Sequence, residues 1–329
     1  MADKKVYLSA DCDPALLAGK QVIVVGYGSQ GRAYSLNLRD SGVQVKVALR
    51  EKSELRLLAQ EEGLEVVRPE QAAAADVVIL AIPDHVQPGF YQQYLTALDG
   101  KDKTLVFLHG LNVTFENIKF ANNQDVILIA PHGPGTDVRD KYVAGSGITC
   151  FLAVGQDASG HARDIGLALA DAIGSGRVGI YETTFADETI GDLFGEQSLL
   201  VGGLAGLTMS AFDKLVEQGL DPAYAYLETV AQLRLLVGMI EKFGPAGMMD
   251  RVSRTASTGS LMAMLLMFNE EFDQRLHKIY EFIATGEFNR FLQREAASGF
   301  AKSEEMLQIL RDDDCQRTVE RLNKNRRNK

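Results

Sequence analysis

The stretch Asp192-Leu-Phe-Gly-Glu-Gln197 sets two carboxylates, Asp192 and Glu196, four residues apart and so on one face of a helix. A second helical stretch, Ala225 to Arg234, carries Glu228 and, one turn later, Gln232. Carboxylates among apolar helices are costly to desolvate unless a cation neutralises them, and hard dications prefer charged oxygen ligands. Three acids and one amide therefore read as a divalent-metal site with a weakened fourth position. The bland alternative for Asp192 and Glu196 is an exposed helix pair. The apolar run Ser198 to Leu207 that follows argues for a buried helix, and with it for metal binding. Glu228 lies on a helix whose apolar face is Tyr226, Leu227, Val230, Leu233 and Leu235 to Val237, where a rim position is the competing reading.

A second constellation lies near the start. Val22 to Val25 runs straight into Gly26-Tyr-Gly-Ser-Gln-Gly31, a G-x-G-x-x-G between a strand and a helix. Gly26 permits the tight turn, Gly28 lets a pyrophosphate approach the backbone, and Gly31 allows close helix–strand packing. The first helical turn then offers free N–H groups and a positive dipole end to the phosphates. Without that context the motif is only a glycine-rich turn. About twenty residues on, Arg50, Lys52 and Ser53 suit a 2′-phosphate, whereas Glu51 and Glu54 suit a free ribose hydroxyl. The balance leans to NADPH, with NADH as the other possibility.

These residues need a scaffold. Val22–Val25, Val43–Ala48, Val77–Ile82, Thr104–Leu108, Val126–Ala130 and Cys150–Val154 read as buried strands, separated by helix-like stretches such as Arg32–Asp40 and Glu54–Glu62. Alternation of that kind predicts a Rossmann-like, doubly wound parallel sheet with helices on both faces. After Tyr181 only helical patterns remain: Leu193–Gln218, Pro222–Lys242 and Leu261–Thr285, with Pro222 and Pro245 marking boundaries. The composition shift at Ile180 to Thr184 predicts two domains, residues 1–182 for a dinucleotide and 183–329 all-helical, carrying the candidate metal ligands. Two histidines follow strands, His109 and His132, at the carboxyl edge where such sheets collect ligands. A loop histidine there is commonly structural, with catalysis the competing reading for His109 and an acid–base role or a merely tolerated residue for His132; His85 reads as loop variation.

Bulk properties fit. A net charge of -10 argues against general nucleic-acid binding, and the basic stretch Arg321 to Lys329 reads as a solvated end. Cys12, Cys150 and Cys315 are widely spaced, as free thiols in a reducing compartment are. The opening Met1 to Lys5 leads into no signal-like core, and the longest apolar run, Leu261 to Phe268, falls far short of the roughly 20 residues of a membrane span. The expectation is a cytoplasmic enzyme.

Together, Gly26 to Gly31, Ser35-Leu-Asn-Leu-Arg-Asp-Ser-Gly42, Gly133-Pro-Gly135, Glu182-Thr-Thr-Phe185 and Asp192 to Gln197 resemble the short form of ketol-acid reductoisomerase, from about Val6 into the early 300s. The resemblance implies conversion of 2-acetolactate-type acids to 2,3-dihydroxy acids, by an alkyl migration on two Mg²⁺ ions followed by hydride transfer from NADPH. It assigns Tyr27, Gly28, Ser29 and Gln30 to the pyrophosphate turn, and Arg50 and Ser53 to the 2′-phosphate, although a further serine is here Leu55. Pro83-Asp84-His85-Val86-Gln87 matches the loop along the cofactor, which brings in Asp84 and Gln87, and Gly135 matches a cofactor contact. His109 matches the active-site histidine, Asp192, Glu196 and Glu228 the metal ligands, and Ser253 the substrate-binding serine. It also implies that the helical domains of two copies interlock, with Glu228 and Ser253 arriving from the partner, and hence a homodimer or larger assembly.

Two positions depart. Where the family has a lysine the chain has His132, and where it has a fourth carboxylate the chain has Gln232, which the changed pocket leaves as a substrate contact. Both fall on the machinery for migration. Three readings follow: an NAD(P)H-dependent reductase of a 2-keto acid, ketone or imine with a weakened or lost isomerase step; a working ketol-acid reductoisomerase of valine and isoleucine synthesis; and a cofactor-binding scaffold, against which the intact turn and three acids argue. The first is preferred.

Overall fold

A computed structural model describes residues 5–96 and 103–327; the opening Met1 to Lys4 and the last two residues of the basic end lie outside the described residues. The chain divides into two compact units, Met1–Gly191 and Asp192–Lys329.

The first unit is built on one sheet. In chain order its elements are β1 (Val6–Tyr7), β2 (Val22–Val25), α1 (Ser29–Asp40), β3 (Val45–Ala48), α2 (Leu55–Glu61), β4 (Glu65–Val67), β5 (Val77–Leu80), α3 (Gln87–Tyr94), β6 (Lys103–Phe107), α4 (Leu111–Thr114), β7 (Gln124–Pro131), α5 (Gly135–Val143), β8 (Cys150–Gln156), α6 (Ala162–Ala172) and β9 (Ile180–Glu182). The strand order is β1-β9-β8-β7-β6-β5-β2-β3-β4. Val22 pairs with both Val45 and Val77, so the connections reverse direction between β2 and β5. Unbroken β-branched runs suit strands buried on both faces. Accordingly Val22, Val24, Val77 and Ile79 pack on one side with Tyr34 and Leu38 of α1 and the apolar row of α6. Ile23, Val25, Val78 and Leu80 face the other side, with Phe90, Tyr91 and Phe107.

The sheet is not wholly parallel, which corrects the sequence reading. β8 runs antiparallel to β7, with Pro131 opposite Cys150, and β1 runs antiparallel to β9. Periodicity reports burial, not direction, and β1, β4 and β9, at two or three residues each, are too short to give a periodic signal. Six strand ends on the parallel side, those of β4, β3, β2, β5, β6 and β7, share one edge.

The helix α7 (Phe185–Gly195) crosses the division, and a wide turn at Glu196–Leu200 leads into α8 (Gly202–Glu217). The second unit continues with α9 (Pro222–Thr229), α10 (Leu233–Met249), α11 (Arg254–Met267), α12 (Glu270–Ala284), α13 (Glu287–Ala297), α14 (Ala301–Arg311) and α15 (Asp314–Arg327). The single helix expected over 222–242 is thus broken at Val230 to Gln232, and Pro245 lies inside α10, where Gly244 (φ 73°) kinks it. The basic stretch is not a loose end as far as Arg327. It lies in α15, whose Cys315, Val319 and Leu322 pack with Phe212 of α8 and Tyr226 of α9.

That small cluster is the unit's described buried core, and much of its remaining apolar surface is bare. Leu235 and Val237 of α10 and Leu265 and Leu266 of α11 are at least half exposed, the last at 77%. Phe185–Glu217 forms one 33-residue helical run long and apolar enough, by length and composition alone, to cross a bilayer, with 6% of its apolar window buried. Counting consecutive apolar residues overlooked it, because its acidic side interrupts the run. Exposed rows on this scale need a covering surface.

With so few buried side chains, each matters. Phe212 is fully buried, so Phe212→Ala should cost about 3–5 kcal/mol in the helical unit. Chemical denaturation should show an earlier helical transition, while the sheet-containing first unit unfolds as before.

Candidate active site

In the first unit the G-x-G-x-x-G turn is shaped by the lack of side chains. Gly26 sits at φ 101°, and a Cβ there would stand 2.4 Å from the Ala81 carbonyl oxygen. A Cβ on Gly31 would stand 2.5 Å from the Gly26 oxygen, whereas one on Gly28 would meet nothing within 4 Å. The first and third glycines therefore serve packing, and the second opens onto free space. Gly28 is the N-cap of α1 and offers no side-chain cap, so the first N–H groups of that helix are available to an anion. Gly135 completes the cradle: a Cβ there would lie 2.1 Å from the Ser29 oxygen, which brings the start of α5 hard against the start of α1. Gln30 ties the two by donating from Nε2 to the Gly133 oxygen at 2.8 Å, and its Oε1 is buried without a hydrogen-bond donor. An open glycine, uncapped helix N–H groups and an orphaned acceptor fit a pyrophosphate with its ribose.

Tyr27 offers only its backbone to that space. Its ring is buried, and its hydroxyl donates to Glu62 Oε2 at 2.8 Å, while Arg32 Nε donates to both Glu62 oxygens at 3.0 and 2.9 Å. Hydrogen bonding from Arg32, together with the Tyr27 hydroxyl and against the cost of burial, holds Glu62 below the usual carboxylate range. Burial and the Glu62 carboxylate push the Tyr27 hydroxyl up. After β3, Arg56 Nη1 donates to the Leu49 oxygen at 2.8 Å and Ser53 N to the Arg50 oxygen at 3.0 Å, which fixes the loop while Arg50 stays exposed and Ser53 half-buried.

After β5 and β6 a polar web holds His109. Its Nδ1 is 3.7 Å from Asp84 Oδ2. Gln87 Nε2 donates to the Ile82 oxygen at 3.0 Å and to Asp84 Oδ1 at 3.3 Å, and Asn112 Nδ2 donates to the Asp84 oxygen and to Gln87 Oε1, both at 2.9 Å. The Gln87 amide is thus engaged in holding the loop. His132, after β7, is exposed; its Nδ1 is 3.3 Å from Thr149 Oγ1, and its ring stands edge-on to Phe151 with centroids 4.3 Å apart.

The sequence reading missed Glu188. It is buried at 3% exposure and accepts from the Gly110 N–H at 2.8 Å, next to His109. A Cβ on Gly110 would strike Thr189 Oγ1 at 2.3 Å, so the His109–Gly110 turn closes directly onto α7. The available signal was spacing: Glu188 lies four residues before Asp192, on the same helical row.

In the second unit Asp192 and Glu196 are exposed at the end of α7 and the start of the wide turn. Glu228 is exposed on α9, and Gln232 is exposed as N-cap of α10, its Nε2 donating to the Leu227 oxygen at 3.0 Å. Ser253 caps α11, its Oγ accepting from the Ala256 N–H at 3.1 Å. Among the described residues no three His, Cys, Asp or Glu side chains gather as a metal site, so one chain does not bring Glu228 to Asp192 and Glu196. The two carboxylates one turn apart are hard oxygen donors and fit part of the shell of a divalent ion. Burial pushes the Cys150 thiol up to about 12 and the Cys12 thiol up to about 11.

Comparison with known proteins bears on both units. Residues 16–179 match the family described as acetohydroxy acid isomeroreductase, NADPH-binding domain, and residues 185–328 match ketol-acid reductoisomerase, C-terminal domain. An NADH-preferring ketol-acid reductoisomerase from an uncultured archean superposes with a TM-score of 0.92 at 32% identity, covering 97% of this chain and 98% of that one. A semialdehyde dehydrogenase NAD-binding protein from Cupriavidus necator (TM-score 0.62, 19% identity, 80% and 98% covered) and an oxidoreductase from Jannaschia sp. (0.59, 17%, 80% and 98%) share the fold.

Gly135→Ala should drive the starts of α1 and α5 apart, and nicotinamide cofactor affinity should fall by an order of magnitude or more in fluorescence titration, with secondary structure retained. Glu62 gives a pH dependence. Because its folded pKa is depressed, its stabilisation is present above the unfolded carboxylate value and is lost as pH falls through the folded value. Thermal melts of the wild type should lose stability through the acid range, and Glu62→Gln should flatten part of that loss.

Proposed function

The chain belongs to the ketol-acid reductoisomerase family, and from that premise we propose that it is a reductase of a 2-keto acid, ketone or imine whose alkyl-migration step is weakened or lost. That it is an NAD(P)-dependent oxidoreductase follows from the family itself. The reading rests on Gln232, a neutral amide where the family has a carboxylate, with its Nε2 held on the Leu227 carbonyl of its own chain. His132 in place of the family lysine removes a fixed cation close to the same chemistry. Migration needs two cations held side by side, and removing one electrostatic stabiliser commonly costs ~3 kcal/mol or more. Reduction of an already formed carbonyl needs less.

In this reading the first unit is the dinucleotide-binding domain, and the second supplies metal, substrate and dimer contacts. Gly28, Ser29 and Gln30 hold the pyrophosphate at the N-terminus of α1, with Gly26, Gly31 and Gly135 shaping the space. Arg50 and Ser53 take a 2′-phosphate, which favours NADPH, and Asp84 lies along the cofactor; Leu55, Glu51 and Glu54 leave NADH usable. Asp192 and Glu196, with Glu228 and Ser253 from a second copy, hold Mg²⁺ and the substrate carboxylate, and Gln232 lines the pocket. When bound, the ion polarises the carbonyl and the nicotinamide supplies hydride to its carbon. His109, turned by Asp84 and by the Glu188-braced Gly110, delivers or relays the proton to the carbonyl oxygen, or His132 does so. The bare apolar rows of α10 and α11 support a homodimer in the helical unit.

The second reading, a working ketol-acid reductoisomerase, draws support from the 32% identity over nearly the whole chain to an enzyme of that activity. Turnover separates the two. Supplied with Mg²⁺ and with NADPH or NADH, the protein should reduce a rearranged 3-hydroxy-2-keto acid and leave 2-acetolactate largely unconverted. The double change His132→Lys with Gln232→Glu should raise acetolactate turnover. Brisk acetolactate turnover by the wild type would sink the first reading and establish the second.

A further inference from the structure

The wide turn between α7 and α8 begins on Glu196. The Val201 N–H donates at 2.9 Å to the Glu196 oxygen, five residues back instead of the four of an α-helix. Two glycines follow, and both meet the backbone five residues behind them: a Cβ on Gly202 would lie 2.4 Å from the Gln197 oxygen, and one on Gly203 would lie 2.0 Å from the Ser198 oxygen. Gly206, further along α8, has nothing within 4 Å. Glycine inside a helix costs ~1 kcal/mol relative to alanine, so a Gly-Gly pair here maintains the wide turn at a real cost in helix stability. Turns of this kind carry one extra residue and concentrate at functional sites.

The extra residue changes which way the two halves of the run face. In an unbroken helix, at ~100° per residue, Phe212 would lie nearly opposite the Asp192–Glu196 pair; one residue of offset leaves them about a quarter turn apart. Phe212 is the buried side chain around which α8 packs on Ala225 and Tyr226 of α9. The offset therefore swings the carboxylates towards the flank on which α8 meets α9.

We propose that Gly202 and Gly203 are positioning residues for the cation site: by admitting the wide turn they set the bearing of Asp192 and Glu196 relative to the core of the helical unit. The proposal rests on Asp192 and Glu196 being ligands. A phase error of one residue points both carboxylates away while leaving their chemistry intact.

The test uses the full-length protein and Mn²⁺ binding followed by electron paramagnetic resonance, with NADPH titration and hydrodynamic size as controls. Wild type should bind Mn²⁺ and Asp192→Asn should not; if the two behave alike, the ligand reading itself fails. Gly203→Ala should weaken Mn²⁺ binding by about tenfold or more, with NADPH affinity and size unchanged, whereas Gly206→Ala should bind as wild type. Deleting Leu200 in the Gly203→Ala background removes the extra residue and restores the phase of α8, so Mn²⁺ binding should return. Wild-type binding by Gly203→Ala overturns the proposal, as does failure of the deletion to restore it. If Gly203→Ala alters size or unfolds, the Leu200 deletion in the wild-type background decides: retained Mn²⁺ affinity supports the proposal, and its loss overturns it.

Discussion

Backbone meets backbone at the carboxyl edge of the sheet wherever a side chain is missing, and the chemistry of the first unit depends on that closeness. Gly26 against Ala81, Gly31 against Gly26, Gly135 against Ser29 and Gly110 against Thr189 are all approaches that a single methyl group would prevent. They join strand end to strand end, strand end to helix start, one helix start to another, and the turn after β6 to the Thr189 side chain on α7. Together they bring the N-termini of α1 and α5 into one cradle and close the His109 turn onto α7. The polar groups then have little freedom: Asp84, Gln87 and Asn112 hold one another, and Glu188 holds Gly110. A site organised by steric closeness holds its geometry before ligand arrives, which is what hydride transfer over a short distance requires.

The glycine motif, the strand–helix alternation and the shift to helices near residue 180 were legible because each leaves a local pattern. The antiparallel run of β8 was not, since apolar runs look alike in both directions. Glu62 and Glu188 were invisible for a different reason. Their roles depend on partners 35 and 78 residues away, Tyr27 and Gly110; the spacing of Glu188 to Asp192 marks a shared helical row but not a contact of that range. The wide turn at Glu196 lay between: Gly202 and Gly203 were in plain view, but nothing short of the backbone geometry says that they face carbonyls five residues back.

The helical unit follows a different logic. Its described buried cluster joins α8, α9 and α15, while α10 and α11 display leucines and methionines to the outside. A stretch that satisfies the length and hydropathy of a membrane span, yet carries Asp192 and Glu196, is better matched to a protein surface than to lipid. Charged groups at a bilayer centre cost several kcal/mol, whereas at a subunit interface they can be shared with a bound cation. Among the described residues, no three acidic side chains gather as a metal site on one chain.

Electrostatics then decides between two chemistries on one scaffold. The glycine cradle lies in the first unit, and its closest approaches are between backbone atoms that substitution of Gln232 leaves untouched. The carbon-skeleton step, by contrast, asks for two ions in one shell, and each loss of fixed charge acts on the ion held less firmly. On the proposed reading, the neutral amide at 232 and the imidazole at 132 both press in that direction, which leaves rearrangement the more exposed of the two steps. On that reading, a module fixed by backbone fit can persist while one set by charge balance drifts.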